Sequence, residues 1–212
     1  MKKKIRTNEI TQIGIFVAIM ATLSQISIPI PISPVPLTLS LFAVFLSSSV
    51  LSLKCGLFVQ IAYILLGLLG IPVFAGFKGG IGAAFGPTGG YILSYIFMAP
   101  TIFLLSKKAI LKYSNSEQAN LQAYTPEKKK RSSRKIYRQR IIYAIAYLFS
   151  LTICYGFGTL WLMIYMKSNF GDIIKIAVIP YIPLDLLKIV ICSAIVPTLN
   201  QALSHKTVSV NS

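Results

Sequence analysis

The chain has 212 residues, 55% of them hydrophobic and only 12% charged, with a mean hydropathy of +0.71. That composition excludes an ordinary water-soluble domain. A ~30 Å hydrocarbon core takes about 20 apolar residues per helix, so this length holds at most about six or seven crossings and leaves no room for a separate soluble domain. The formal net charge of +16 is concentrated in a few short segments between long apolar stretches, which reads as a signal of membrane topology.

The first apolar run, 10–30, follows a basic opening of Met-Lys-Lys-Lys-Ile-Arg. It is too long for the core of a signal peptide and further apolar segments follow, so it reads as a retained first helix. Gly14, Ala18 and Thr22 recur at intervals of four and form a smooth stripe on one face, a pattern suited to close helix–helix contact. Spacing alone leaves open whether the partner is another helix of this chain or a separate subunit.

Further apolar segments lie at 36–53, 55–71, 89–106, 139–166 and 173–200, each expected to span. They are continuous runs without two-residue alternation. In hydrocarbon every backbone polar group must be satisfied within the protein, so the expected class is a bundle of six membrane helices rather than a β-barrel.

Between the third and fourth segments, residues 70–91 are rich in glycine yet still apolar, and half of all the glycines fall between Gly76 and Gly90. Irregular backbone near membrane depth needs partners from protein or water, which makes this connection a candidate lid over a cavity. Gly80, Gly82 and Gly86 resemble a dinucleotide fingerprint only superficially: the last interval is one residue too long and no βαβ unit surrounds it. The chain has no phosphate-binding Gly-Lys-Ser/Thr loop, so any ATP hydrolysis would fall to other subunits.

The connection 106–140 is strongly basic. With few aromatic residues and a place between two membrane segments, it fits a cytoplasmic loop near anionic lipid headgroups, not a nucleic-acid patch. Counting Lys and Arg in alternate connections puts four in the N-terminal tail, then Lys54, eleven from Lys107 to Arg140, and Lys206 on one side, against Lys78, Lys167 and Lys175 on the other. Both termini and the 106–140 loop are therefore expected in the cytoplasm.

The last apolar segment contains Pro180-Tyr-Ile-Pro183-Leu-Asp185-Leu-Leu-Lys188, and Asp185 is the only acidic residue inside any expected span. A charge held in hydrocarbon costs several kcal/mol unless paired or wet, so it points to function. Asp185 and Lys188 stand three apart on one helix face. One account is a self-neutralising pair that aids packing; the other is a polar site for a ligand with both donors and acceptors. A hydrophobic pair would be no less stable, so pairing alone does not explain the charges. Pro180 and Pro183 remove backbone donors beside the pair and suggest a broken helix at a midplane site. Cys55, Cys154, Cys192 and a single histidine, His205, are too scattered for a disulfide framework or a metal site. Catalysis would have to draw on very few groups, so an intramembrane enzyme or a non-catalytic assembly protein stands as the alternative to a ligand carrier.

Several ordered motifs carry a family resemblance. Leu66-Gly67-Leu-Leu-Gly70-Ile-Pro72-Val73-Phe74-Ala75-Gly76, followed by Gly86-Pro87-Thr88-Gly89-Gly90-Tyr91, closely resembles the signature of BioY, the biotin-binding membrane subunit of energy-coupling-factor (ECF) transporters. Pro36-Leu-Thr38-Leu, Gly158-Thr-Leu-Trp161-Leu and Pro183-Leu-Asp185-Leu-Leu-Lys188 match in the same order. The resemblance implies an all-α, six-helix substrate-binding subunit in a bacterial cell membrane, with a Gly-rich extracellular loop between the third and fourth helices and no cofactor. It implies biotin as ligand, contacts from Asp185 and Lys188, and work alongside a transmembrane coupling subunit and two cytoplasmic ATPases, with Gly14 and Ala18 on the docking face of the first helix. Thr38 counts with the binding residues, Phe74, Tyr91 and Trp161 are candidate apolar walls, and Lys78 is a second candidate for the ligand's carboxylate. Two departures stand out: Ser40 where a glutamine is expected after Thr-Leu, and the length of the basic loop.

Overall fold

A computed structural model describes residues 7–119 and 128–209. In chain order the elements are α1 (Thr7–Gln25), β1 (Ser27–Ile28), β2 (Leu37–Thr38), α2 (Ser40–Val50), α3 (Leu53–Leu68), α4 (Ile81–Ala84), α5 (Gly89–Ala119), α6 (Lys128–Met166), α7 (Phe170–Ala177) and α8 (Ile182–Ser209). Among the described residues, three stretches are long and apolar enough to cross a membrane: Gly89–Lys107 of α5, Ile136–Met166 of α6 and Ile182–Asn200 of α8. The protein is thus a mostly helical, multi-pass membrane protein.

Proline governs where the first segment stops. The expected 10–30 run is helical only to Gln25, ahead of Pro29, Pro31, Pro34 and Pro36, none of which can donate to a helical ladder. The chain there forms a small antiparallel hairpin, with Ser27 opposite Thr38 and Ile28 opposite Leu37. Thr38 consequently belongs to β2 and precedes the second helix, although the sequence suggests a place on it.

The expected 36–53 span is helical for only 11 residues, roughly 16 Å of rise, short of a bilayer core. Leu51 turns extended at its end, and Ser52 caps α3 by accepting the Cys55 N–H at 3.4 Å. α3 has 16 residues. Neither helix has the full spanning length expected of its segment.

The 106–140 connection also differs from expectation. α5 runs on to Ala119 and α6 begins at Lys128, so much of it is helix, and residues 120–127 lie outside the described ones. The last segment is two helices. Val178 ends α7, Pro180 sits in the break, and Pro183 occupies the first turn of α8, where its missing N–H has no ladder partner to lose. Asp185 is therefore in the first turn of α8 instead of deep inside one long helix.

The helices pack as α5 on α6, α6 on α8, α1 on α3, and α2 between α5 and α8. Their shared core includes Met20, Val44, Phe45, Val59, Met98, Ile102, Tyr147 and Cys192. A smaller cluster of Val35, Leu37, Leu162, Ile173, Ala177 and Tyr181 closes the end at the hairpin and α7. All three cysteines are buried and free. Two glycines permit close approach where the site forms. A Cβ at Gly158 would strike the Tyr91 ring, and one at Gly67 the Phe74 ring.

Candidate functional site

Asp185 and Lys188 are brought together at the end of the bundle where β2, α5, α6 and α8 meet. Successive turns of α8 place them on one face, and the Lys188 Nζ donates to Asp185 Oδ1 at 2.6 Å. Both are buried, at 2% and 6% exposure. Burial of two charges is tolerable only when further hydrogen bonds complete the pair, and they are present. Lys188 Nζ also donates to the Thr38 carbonyl at 2.7 Å, and the Tyr155 hydroxyl donates to Asp185 Oδ2 at 2.7 Å. The β-hairpin, by putting Thr38 beside α8, supplies the first of these; α6 supplies the second.

A second polar chain starts from the same residue. Thr38 Oγ1 and Ser40 Oγ lie 2.6 Å apart, and Ser40 Oγ meets the Tyr95 hydroxyl at 2.8 Å. Ser40, where the resemblance implies a glutamine, is thus a buried link between β2 and α5. Tyr91 OH donates to the Ala177 carbonyl at 3.1 Å, and Tyr181 OH donates to the Val35 carbonyl, which together tie α7 and the hairpin to the bundle.

These residues line an inner cavity of about 60 Å³, with Asp185, Lys188, Thr38, Ser40, Tyr91, Tyr95, Tyr155 and Tyr181 on its wall. Its charged groups are the Asp185–Lys188 pair, which is neutral overall. An outer cavity of about 540 Å³ adjoins it through Pro36, Ala75 and Thr88, which line both. Phe74, Phe77, Lys78 and Tyr165 line the outer one, and Lys78 is the single charged residue among the described ones that line it.

Lys78 stands on fixed backbone. Phe74 and Lys78 form an antiparallel bridge whose N–H···O distances are 2.9 and 3.3 Å. Gln25 ties this turn to α1, its amide donating to the Pro72 carbonyl at 3.2 Å and its carbonyl accepting the Phe77 N–H at 2.8 Å. Tyr63 OH and Ser24 Oγ both donate to the Val73 carbonyl. The connection 69–88 is therefore pinned to α1 and α3 at several points, and it carries the short helix α4.

Of the residues marked in the sequence, Asp185, Lys188, Thr38 and Tyr91 converge on the inner cavity, while Phe74 and Lys78 line the outer one. Phe74 is 3% exposed and meets the Tyr63 ring edge-on at 5.6 Å, so much of it serves the core. Trp161 lines neither: its indole N–H donates to the Gly86 carbonyl at 2.9 Å and its side chain covers Gly89 and Gly90. Tyr95, Tyr155 and Tyr181 escape sequence reasoning, because a tyrosine in an apolar segment carries no sign of where its hydroxyl points. Gly14, Ala18 and Thr22 lie exposed along α1. Gly14 and Ala18 line an apolar groove of about 650 Å³ between α1 and α3.

Comparison with known proteins identifies the family and the fold. The model of the BioY family matches residues 1–205. A biotin transporter BioY of Thermotoga maritima is 47% identical over 100 residues, 47% of this chain and 58% of that protein. A probable biotin transporter BioY of Pyrococcus horikoshii is 48% identical over 90 residues, 42% and 54% of the two chains. These two matches span little more than half the length of those relatives. The biotin transporter BioY2 of Lactococcus lactis is 32% identical over 196 residues, 92% of each chain. In fold, the chain is similar to a crystal structure of the S-component for biotin from an ECF-type ABC transporter, with TM-score 0.72, 24% identity, and coverage of 93% of this chain and 95% of that one. By its sequence over nearly the full length, the chain belongs to the BioY family.

Proposed function

We propose that the protein is the substrate-binding membrane subunit of a biotin uptake transporter, and that it captures biotin at the Asp185–Lys188 end of the bundle. The observation that carries this reading is a buried ion pair, held by hydrogen bonds from Thr38 and Tyr155, that opens into a tyrosine-lined cavity. The family and its relatives named as biotin transporters supply the ligand.

The chemistry of biotin suits the two cavities. Its ureido ring offers two N–H donors and a carbonyl, its bicycle is apolar, and its chain ends in a carboxylate. Asp185 accepts an N–H and Lys188 donates to the carbonyl, while tyrosine rings enclose the bicycle. The inner pair carries no net charge whereas Lys78 attracts the carboxylate, so the ring enters first and the tail lies in the outer cavity. The inner cavity is far below the roughly 300 Å³ of a small-molecule pocket, so ligand entry requires the connection 69–88 to release some of its ties to α1 and α3 and shift as a lid.

In this reading α1, α2, α3, α5, α6 and α8 are six membrane helices, with 69–88 outside and both termini and the α5–α6 connection in the cytoplasm. The subunit works with a transmembrane coupling subunit and two cytoplasmic ATPases, which supply the hydrolysis. Gly14, Ala18 and Thr22 on α1 form the docking face. The test is biotin retention on the purified chain. Tight binding by the unaltered protein and a loss of at least about 100-fold in Asp185→Ala are expected from a buried charge-assisted contact. Undiminished binding by Asp185→Ala overturns the reading.

A further inference from the structure

We infer that Tyr155 is a positioning residue, which sets the ligand specificity of the site by holding the Asp185 carboxylate as an acceptor for ligand N–H groups. The inference rests on the binding role proposed for Asp185. Tyr155 lies on α6, Asp185 on α8, and their hydroxyl–carboxylate contact of 2.7 Å joins the two helices across the cavity wall.

Charge neutrality does not require this contact, since Lys188 already neutralises Asp185 at 2.6 Å. What Lys188 cannot do is fix the plane of the carboxylate. It sits on the same helix and engages only Oδ1, leaving the side-chain torsion that swings Oδ2 unrestrained. Tyr155 engages Oδ2 from a different helix, so both oxygens are held from two directions.

Counting hydrogen-bond capacity shows what remains for a ligand. A carboxylate accepts at about four positions and an ammonium donates at three. Tyr155 and Lys188 use two of the first, while Asp185 and the Thr38 carbonyl use two of the second. The site then offers free acceptor positions on Asp185 beside one free N–H on Lys188. That set complements a planar N–H/C=O edge, the edge of a urea or lactam, and offers no place for a second carboxylate. Removing the Tyr155 hydroxyl frees Oδ2 to rotate and blurs that preference.

The experiment is equilibrium binding to the purified full-length chain of biotin and of a derivative methylated on both ureido nitrogens, for wild type, Tyr155→Phe, Asp185→Asn and the double variant. Tyr155→Phe is expected to weaken biotin about 10- to 100-fold and to shrink the ratio of the two affinities, because only the N–H ligand depends on the orientation of Asp185. In the Asp185→Asn background the same substitution is expected to change biotin affinity less than twofold. An unchanged ratio, or the same loss in both backgrounds, overturns the inference, and both readouts cancel a general loss of folded protein. Failure of wild type to retain biotin would instead strike the functional reading itself.

Discussion

Asp185 and Lys188 each stabilise a charge that would be prohibitive alone, and this makes single and paired substitutions behave differently. Lys188→Met leaves the carboxylate buried with only Tyr155 as a donor, and it is expected to destabilise the protein by about 3 kcal/mol or more. Replacing both, as Asp185→Leu with Lys188→Leu, removes the stranded charge, so most of that stability returns while biotin binding does not. Thermal unfolding in detergent, followed beside ligand binding, checks both halves; a double variant that binds normally contradicts the site. The spacing of three between these residues is visible in the sequence, as is their isolation among apolar neighbours. Their partners are not. The Thr38 carbonyl and the Tyr155 hydroxyl come from positions 150 and 30 residues away, and no periodicity relates them to α8.

At the scale of elements, α1 has two faces. Val17, Met20 and Ser24 are buried against the bundle, whereas Gly14, Ala18 and Thr22 lie exposed, the first two lining an open groove beside α3. A Cβ added at Gly14 meets nothing within 4 Å. Gly14→Trp with Ala18→Trp is therefore expected to leave biotin binding by the purified chain within about twofold, since the groove shares no lining residue with either cavity, yet to abolish biotin uptake by cells. Binding and uptake measured side by side check this, and normal uptake would remove α1 as the docking face. The stripe itself is legible from intervals of four, but its exposure depends on which other face of α1 the bundle takes. The last apolar segment teaches the converse. Hydropathy merges α7 and α8 into one run, because leucine and isoleucine are equally apolar in a helix and in a break. The prolines at 180 and 183 mark a disturbance without determining whether it is a kink or two separate helices.

For the molecule as a whole, the asymmetry of Lys and Arg predicts sidedness. With cysteines placed singly at Lys78 and Lys54, both exposed, a membrane-impermeant thiol reagent on intact cells is expected to label position 78 and spare 54 until the membrane is opened. The reverse pattern would invert the topology. Cys55, Cys154 and Cys192 are buried and give little background.

Membrane class, helical character and the strongest candidate pair were determined by the sequence itself, because the bilayer enforces long apolar runs and makes each intramembrane charge conspicuous. Element lengths were legible only in part: α2 stops at 11 residues and α5 and α6 continue past their apolar windows, since caps, prolines and packing decide where a helix ends. What only the tertiary structure decided is the pocket: the hairpin that carries Thr38 to α8, the tyrosines on its walls, and the division into a neutral inner and a cationic outer cavity. The physical reason is that hydrogen bonds between distant segments depend on the rotation and depth of each helix, and apolar residues on every side of a membrane helix leave that rotation unspecified until the bundle packs.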